Sequence, residues 1–218
     1  GFKVNIPFGI PAGPLLNSTF IQGAWRCGFA INTYKTVRSD IYPCHPFPNV
    51  IKVRGNGPDI HPGETVIGDL DISSIEIEHD GITNSFAVPS KIPSVWQADI
   101  REAIKAMTTG NLLIGSFMGI KREDMTREDY INDFAKACTL MVETGVPIIE
   151  VNFSCPNFGK EGLICNDVET SALILEELHK AKRNVPLLVK IGYFAKEDQD
   201  NLQRLLEIIH QYANGVSA

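Results

Sequence analysis

Long apolar runs, dense basic clusters and paired metal-binding cysteines are all missing from this chain of 218 residues. With no uninterrupted apolar segment of about 18 residues, it has no candidate transmembrane helix. Its 20 Lys and Arg stand against 26 Asp and Glu, a formal charge of -6, and never cluster densely enough to follow a phosphate backbone. A nucleic-acid surface is therefore not expected. The five cysteines, at 27, 44, 138, 155 and 165, form no CxxC pair, so neither zinc nor an iron–sulfur cluster is expected. Their odd count and irregular spacing suit a reducing cytoplasm better than a disulfide framework. None of the histidines has metal-ligand spacing: His45, His61 and His79 read as turn or surface residues, and His179 and His210 as solvated helix positions. No secretory leader is visible, and GFKVNIPFGIPAG enters folded-looking sequence at once, so native residues are expected before Gly1.

What is present is a chain 44% hydrophobic, enough to bury a core and fold as a soluble globular protein. Apolar, β-branched runs predict strands at Ile6 to Ala12, Phe29 to Thr36, Leu112 to Phe117, Ile148 to Phe153 and Leu187 to Ile191. Thr126 to Asp129 reads as a capping-box variant opening a helix whose inner face carries Ile131, Phe134, Cys138, Met141 and Val142, with Gly145 to end it. A second helix is expected from about Val168 to Lys182. A third carries Leu202, Leu205, Leu206, Ile209 and Ala213 inward, and Val216 to Ala218 read as the start of a strand. Trp25 and Trp96 are read as packing residues on helices, and Cys138 as a core thiol.

Strand–helix alternation at this spacing predicts a parallel sheet with helices outside, and about five β/α units of a (β/α)8 TIM barrel. A doubly wound open sheet is the rival, but no GxGxxG follows the first strand. Residues 38 to 93 break the rhythm with prolines, glycines and the alternating stretch Ile72 to Glu78; a long excursion of this kind is expected to serve function by covering the active-site mouth. Residues 1 to 218 are thus expected to form a single partial barrel within a longer polypeptide.

Catalytic residues of such barrels sit at the carboxyl ends of the strands. In chain order those positions hold Ala12 and Gly13, Lys35 and Thr36, Ser116, Asn152 to Asn157, and Lys190, with Asn84 and Ser85 in the excursion. Two lysines, several carboxamides and the thiol of Cys155 around an apolar pit suit a planar, electron-rich ring. Taken singly, Cys155 reads first as a buried structural thiol, and Asn152 and Asn157 flanking it at a strand end reverse that preference; an Asx turn for Asn84 and snorkelling for the lysines are the lesser readings. Cys165 reads as a loop thiol that competes with Cys155 in reactivity.

VNFSCPN at 151 to 157, TYKT at 33 to 36, NSFAVPS at 84 to 90 and LVKIGYF at 188 to 194 together resemble the dihydroorotate dehydrogenases and the related flavin domain of dihydropyrimidine dehydrogenase. The resemblance implies FMN as cofactor and Cys155 as the base that takes a proton from C5 of dihydroorotate while hydride leaves C6. It implies that Asn84, Asn152 and Asn157 read the pyrimidine, whose alternating N–H and C=O edges match carboxamides. It implies Lys35 and Lys190 beside ring and substrate, Thr36 and Asn152 against the cofactor, and Ala12 and Gly13 as small residues under it. Cysteine at 155, where the membrane-attached class has serine, implies the soluble class, and the resemblance also implies a homodimer. The segment Phe86 to Ser90 departs from the Met-Gly-Leu-Pro-Asn common in the family, and Asn157 to Cys165 resembles the dihydropyrimidine dehydrogenase form. A uracil-type reductase and a non-catalytic flavin- or pyrimidine-binding barrel therefore stand as alternatives, and fumarate, NAD and quinone all stand as electron acceptors.

Overall fold

The computed structural model describes residues 1–54, 66–71, 80–155 and 163–218. The Ile72 to Glu78 stretch, His61, His79 and Asn157 lie outside them. In chain order the elements are β1 (Gly9–Ile10), α1 (Ser18–Arg26), β2 (Ile31–Arg38), β3 (Val50–Arg54), β4 (Gly68–Asp69), β5 (Asp80–Asn84), α2 (Pro93–Ala106), β6 (Leu112–Met118), α3 (Arg127–Val142), β7 (Ile148–Asn152), α4 (Val168–Ala181), β8 (Leu187–Lys190), α5 (Gln199–Tyr212) and β9 (Gly215–Ser217). They fall into two compact units, Gly1–Tyr42 with Val88–Ala218, and Pro43–Ala87.

In the larger unit the sheet order is β1-β2-β6-β7-β8-β9, every neighbouring pair parallel. Each strand lies beside its predecessor. With right-handed crossovers this sends every helix to one face, and the sheet curls into a half-barrel. Leu113, Phe117, Ile149, Val151, Leu187 and Val189 face outward into the main core, where Ile100, Phe134, Met141, Leu175, Leu178 and Leu205 meet them. The inner face holds a smaller cluster of Leu112, Ile114 and Ile148 with Val4, Ile31 and Leu188.

Local chemistry sets the ends of the helices. Asn17 caps α1 by accepting from the Thr19 and Phe20 amides. Pro93 opens α2, where its missing N–H costs nothing. Thr126 and Asp129 form the reciprocal capping box expected for α3, and Gly145 follows at a φ of 82°. Asp167 caps α4.

Three expectations change. The first strand is two residues long rather than seven, because Pro7 and Pro11 flank it and offer no amide to a ladder. Gly9 is indispensable to it, since a Cβ there would lie 1.5 Å from the Ile31 carbonyl oxygen. The second strand runs on past Thr36 to Arg38. Leu206, expected on the inner face of α5, is 41% exposed, while Leu205 and Ile209 alone on that helix are buried.

The smaller unit is a three-stranded antiparallel sheet in the order β4-β3-β5. Lys52, on the middle strand, is buried and pairs with Asp69 at 3.5 Å and Asp80 at 3.9 Å from the two flanking strands. In the larger unit, Tyr42 and Ser90 exchange backbone hydrogen bonds of 2.9 and 3.0 Å, which draws together the points where the chain leaves and rejoins it.

Candidate active site

Above the apolar inner cluster, toward the carboxyl ends of the strands, the inner face turns polar. Thr36, Ser116, Glu150 and Asn152 are all buried there, with Lys190 half-buried on β8 and Ser217 on β9. The change follows from the alternation of β7: Ile149 and Val151 go outward into the core, so Ile148, Glu150 and Asn152 go inward.

A bulge in β2 concentrates this layer. Tyr34 pairs with Gly115 and Val37 with Phe117, so Lys35 and Thr36 together stand opposite the single residue Ser116. The Lys35 amide is held by the Leu15 carbonyl at 3.0 Å, and its ammonium donates to the Thr36 carbonyl at 3.3 Å. Thr36 Oγ1 and Ser116 Oγ share a hydrogen bond of 2.9 Å, and Asn152 Nδ2 donates to Thr36 Oγ1 at 3.3 Å. Asn152 Oδ1 accepts from the Ser154 amide at 3.0 Å and the Ser154 hydroxyl at 3.2 Å. The carboxamide is thus locked at both ends before any ligand arrives, with one N–H left to offer.

Lys190 is the register partner of Asn152 on one side and of Ser217 on the other. Ser217 Oγ donates to Glu150 Oε2 at 2.7 Å, passing over β8 from β9 to β7. Gly13 has a φ of 147° and open space where a Cβ would stand, and Ala12 beside it is half-buried, so the backbone there is open to close approach.

Cys155 is a free thiol, 5% exposed, set in the main apolar core rather than in a polar loop. Cys165 is buried too, contrary to its reading as a simple loop thiol. Its amide donates to the Phe153 carbonyl at 3.2 Å and its sulfur accepts from the Gly192 amide at 3.4 Å, which ties the chain beyond β7 to the chain beyond β8. Burial pushes its pKa up against the hydrogen bond from the Gly192 amide, which keeps the thiol protonated near neutral pH. Cys138 is the core thiol expected, pushed up to about 12 by burial.

Arg38 carries no signal in the sequence that would single it out. It is 1% exposed at the end of β2, donating through Nε to the Val88 carbonyl at 3.0 Å and through a terminal nitrogen to the Gly119 carbonyl at 2.7 Å, with its guanidinium 3.9 Å from the centre of the Tyr42 ring. Burial lowers its pKa, and nearby Tyr42, Cys155, Tyr130 and Asp133 act against that. Asp133 in turn takes the Ser39 hydroxyl at 2.6 Å and the Ile120 amide at 2.6 Å, which pins the ends of β2 and β6 to α3.

A cavity of about 510 Å³ opens beside Lys35, with Asn17, Tyr34, Lys91 and Asp99 in its wall. Asp99 is already taken up by the Ser18 amide and hydroxyl and by the Tyr34 hydroxyl, each at 2.7 Å. A larger one, about 600 Å³, lies between the starts of α3 and α4, where Thr126 and Asp167 each accept one first-turn amide; it is not where the candidate residues gather.

The fold therefore brings Lys35, Thr36, Ser116, Asn152 and Lys190 to one end of the sheet, with Glu150 and Ser217 added by topology. Asn84 ends β5 in the smaller unit and is exposed. No group of three or more His, Cys, Asp or Glu able to hold a metal occurs among the described residues, and no helix among them is long and apolar enough to cross a membrane.

No family model matches the chain. Dihydroorotate dehydrogenase of Dictyostelium discoideum is 31% identical over 223 residues, covering 95% of this chain and 56% of that protein. The chain thus spans about half the length of the curated relative it matches. The α/β half-barrel with polar strand ends and the similarity along nearly the whole chain both agree with a likeness to the dihydroorotate dehydrogenases.

Proposed function

We propose that the protein oxidises dihydroorotate to orotate in pyrimidine biosynthesis, using FMN on a (β/α)8 barrel whose first β/α units are those described above. The observation that carries this reading is the polar layer Thr36–Ser116–Asn152 beside Lys190, at the strand ends next to the Val151 to Asn157 motif. That layer fits an FMN ring. Lys190 brings a cation to the inner face, Asn152 has one N–H to offer, and Ala12 and Gly13 leave the backbone open to a flat molecule. Ala12, Gly13, Lys35, Thr36, Asn152 and Lys190 would hold it, and when bound it supplies the hydride acceptor.

The protein's own part is orientation and proton handling. Asn152, fixed by Ser154 and Thr36, presents its free N–H in one direction, so no rotamer freedom is lost on binding the pyrimidine. Asn84 and Asn157 complete the set of carboxamides in this reading, and Lys35 stands on the substrate side. Cys155, acting as base, would take the proton from C5 of dihydroorotate. The soluble, cysteine-using class, a cytoplasmic location and a homodimer go with the same reading; free cysteines at all five positions suit a reducing compartment.

The test is the visible spectrum of the full-length protein, recorded anaerobically before and after dihydroorotate. Bleaching of a flavin band is the expected result. A band that bleaches with dihydrouracil and not with dihydroorotate would move the assignment to a uracil-type enzyme, and no flavin band at all would overturn it.

A further inference from the structure

Glu150 has no part in the proposed function, and its surroundings are unusual for an acid. It is 4% exposed on the inner face of β7; Oε2 accepts from Ser217 Oγ, and Oε1 has no hydrogen-bond partner among the described residues. A buried carboxylate oxygen left without a donor is costly, and a buried charge without a counter-charge costs more. Such a group persists where something in its surroundings uses it.

The register shows what lies nearby. Glu150 pairs with Leu188 on β8, and the next inward residue of β8 is Lys190, which pairs with Asn152 and Ser217. The Glu150–Ser217 hydrogen bond joins β7 to β9 and therefore crosses the inner face of β8 between Leu188 and Lys190. The register thus sets Glu150 one residue level below Lys190 on the same face. Strands β1, β6 and β9 contribute no titratable residue, and β2, two strands away from β7, contributes Tyr34, bound to Asp99, Lys35, with its ammonium on the Thr36 carbonyl, and Arg38, with its guanidinium on the Val88 and Gly119 carbonyls. Among the described strands, Lys190 is the cation that the topology sets beside Glu150.

We infer that Glu150 is a positioning residue for Lys190, a fixed negative charge beneath the ammonium that limits where it stands and tempers its field at the strand ends. Ser217 serves as the clasp that keeps the carboxylate under β8. The inference deepens the proposed function and rests on its placing of Lys190 beside the flavin. In a water-poor layer a fixed charge one residue level away is weakly screened, so it acts on any group whose charge changes above Lys190.

The experiment is the reduction potential of the flavin in the full-length holoprotein, compared for wild type, Glu150→Gln, Ser217→Ala and Lys190→Met. Glu150→Gln is nearly isosteric and removes only the charge. It should favour the reduced flavin at least tenfold at a fixed poise, about 30 mV for a two-electron couple. Ser217→Ala, which leaves the charge in place, should move it far less, and adding Glu150→Gln to Lys190→Met should give less than the sum of the two. A Glu150→Gln holoprotein with the wild-type potential would overturn the inference while leaving the proposed function intact. Should Glu150→Gln fail to fold, Glu150→Asp keeps the charge on a shorter arm: a potential unchanged both there and in Lys190→Met would overturn it equally. A wild-type protein that carries no flavin removes both readings together.

Discussion

Thr36 on β2 and Ser116 on β6 share a 2.9 Å hydrogen bond in the buried inner layer, and the same Thr36 oxygen accepts from Asn152 on β7. One hydroxyl thus connects three parallel strands at the level where the candidate residues gather.

Replacing Thr36 with Val removes that hydroxyl at nearly constant volume. Ser116 and Asn152 then each lose a partner in a buried setting, and the variant should lose about 1–3 kcal/mol of stability in urea. Loosening of Asn152 should appear as a higher KM for the pyrimidine with a smaller change in kcat.

Cys155→Ala should leave flavin bound and slow its reduction by dihydroorotate by about 100-fold or more, the usual worth of a positioned base. Stopped-flow at 450 nm on the full-length protein measures this. Reduction at a near-normal rate would mean that another group takes the proton.

Stability should fall as the solution becomes alkaline. Cys138 is raised to about 12 by burial, and burial also raises the pKa of Tyr34, where Asp99 adds to it, and of Tyr130. Each of these groups stays neutral longer in the folded chain than in the unfolded one. Their contribution is complete below the unfolded thiol value of about 8.5 and is lost as pH climbs toward the folded values. Urea midpoints between pH 8 and pH 11 should decline, and Cys138→Ala should decline less steeply.

Lys52→Met withdraws the cation shared by Asp69 and Asp80 in the smaller unit. It should destabilise that unit by about 1–3 kcal/mol, seen as faster proteolysis within residues 43–87 while the half-barrel stays protected.

Much of the half-barrel was legible in the sequence because period and capping agreed. Thr126 with Asp129, the apolar runs of β6 and β7, and the closing Val216 each announced an element through local chemistry. The first strand is shorter than its pattern suggests because Ile6, Phe8 and Ile10 alternate correctly, yet Pro7 between them and Pro11 after them deny the ladder two donors. Lys35, Thr36, Asn152 and Lys190 were found from the strand-end rule. Arg38, Glu150 and Ser217 were not singled out, since their importance comes from strands more than 60 residues apart meeting at one level, as Glu150 and Ser217 do with a separation of 67. Cys155 looked polar from its neighbours Asn152 and Ser154, but the chain turns after β7 and sends the thiol into the core.

The β2 bulge acts like an inserted letter that leaves the reading frame intact. Tyr34 before it and Val37 after it both point into the core, opposite Gly115 and Phe117, so the strand gains a residue without reversing its two faces. Deleting Lys35 outright should therefore be milder on the fold than inserting a residue at Thr33. The shortened strand would pair regularly, with Thr36 still opposite Ser116, and would lack only the cation that the extra letter encodes.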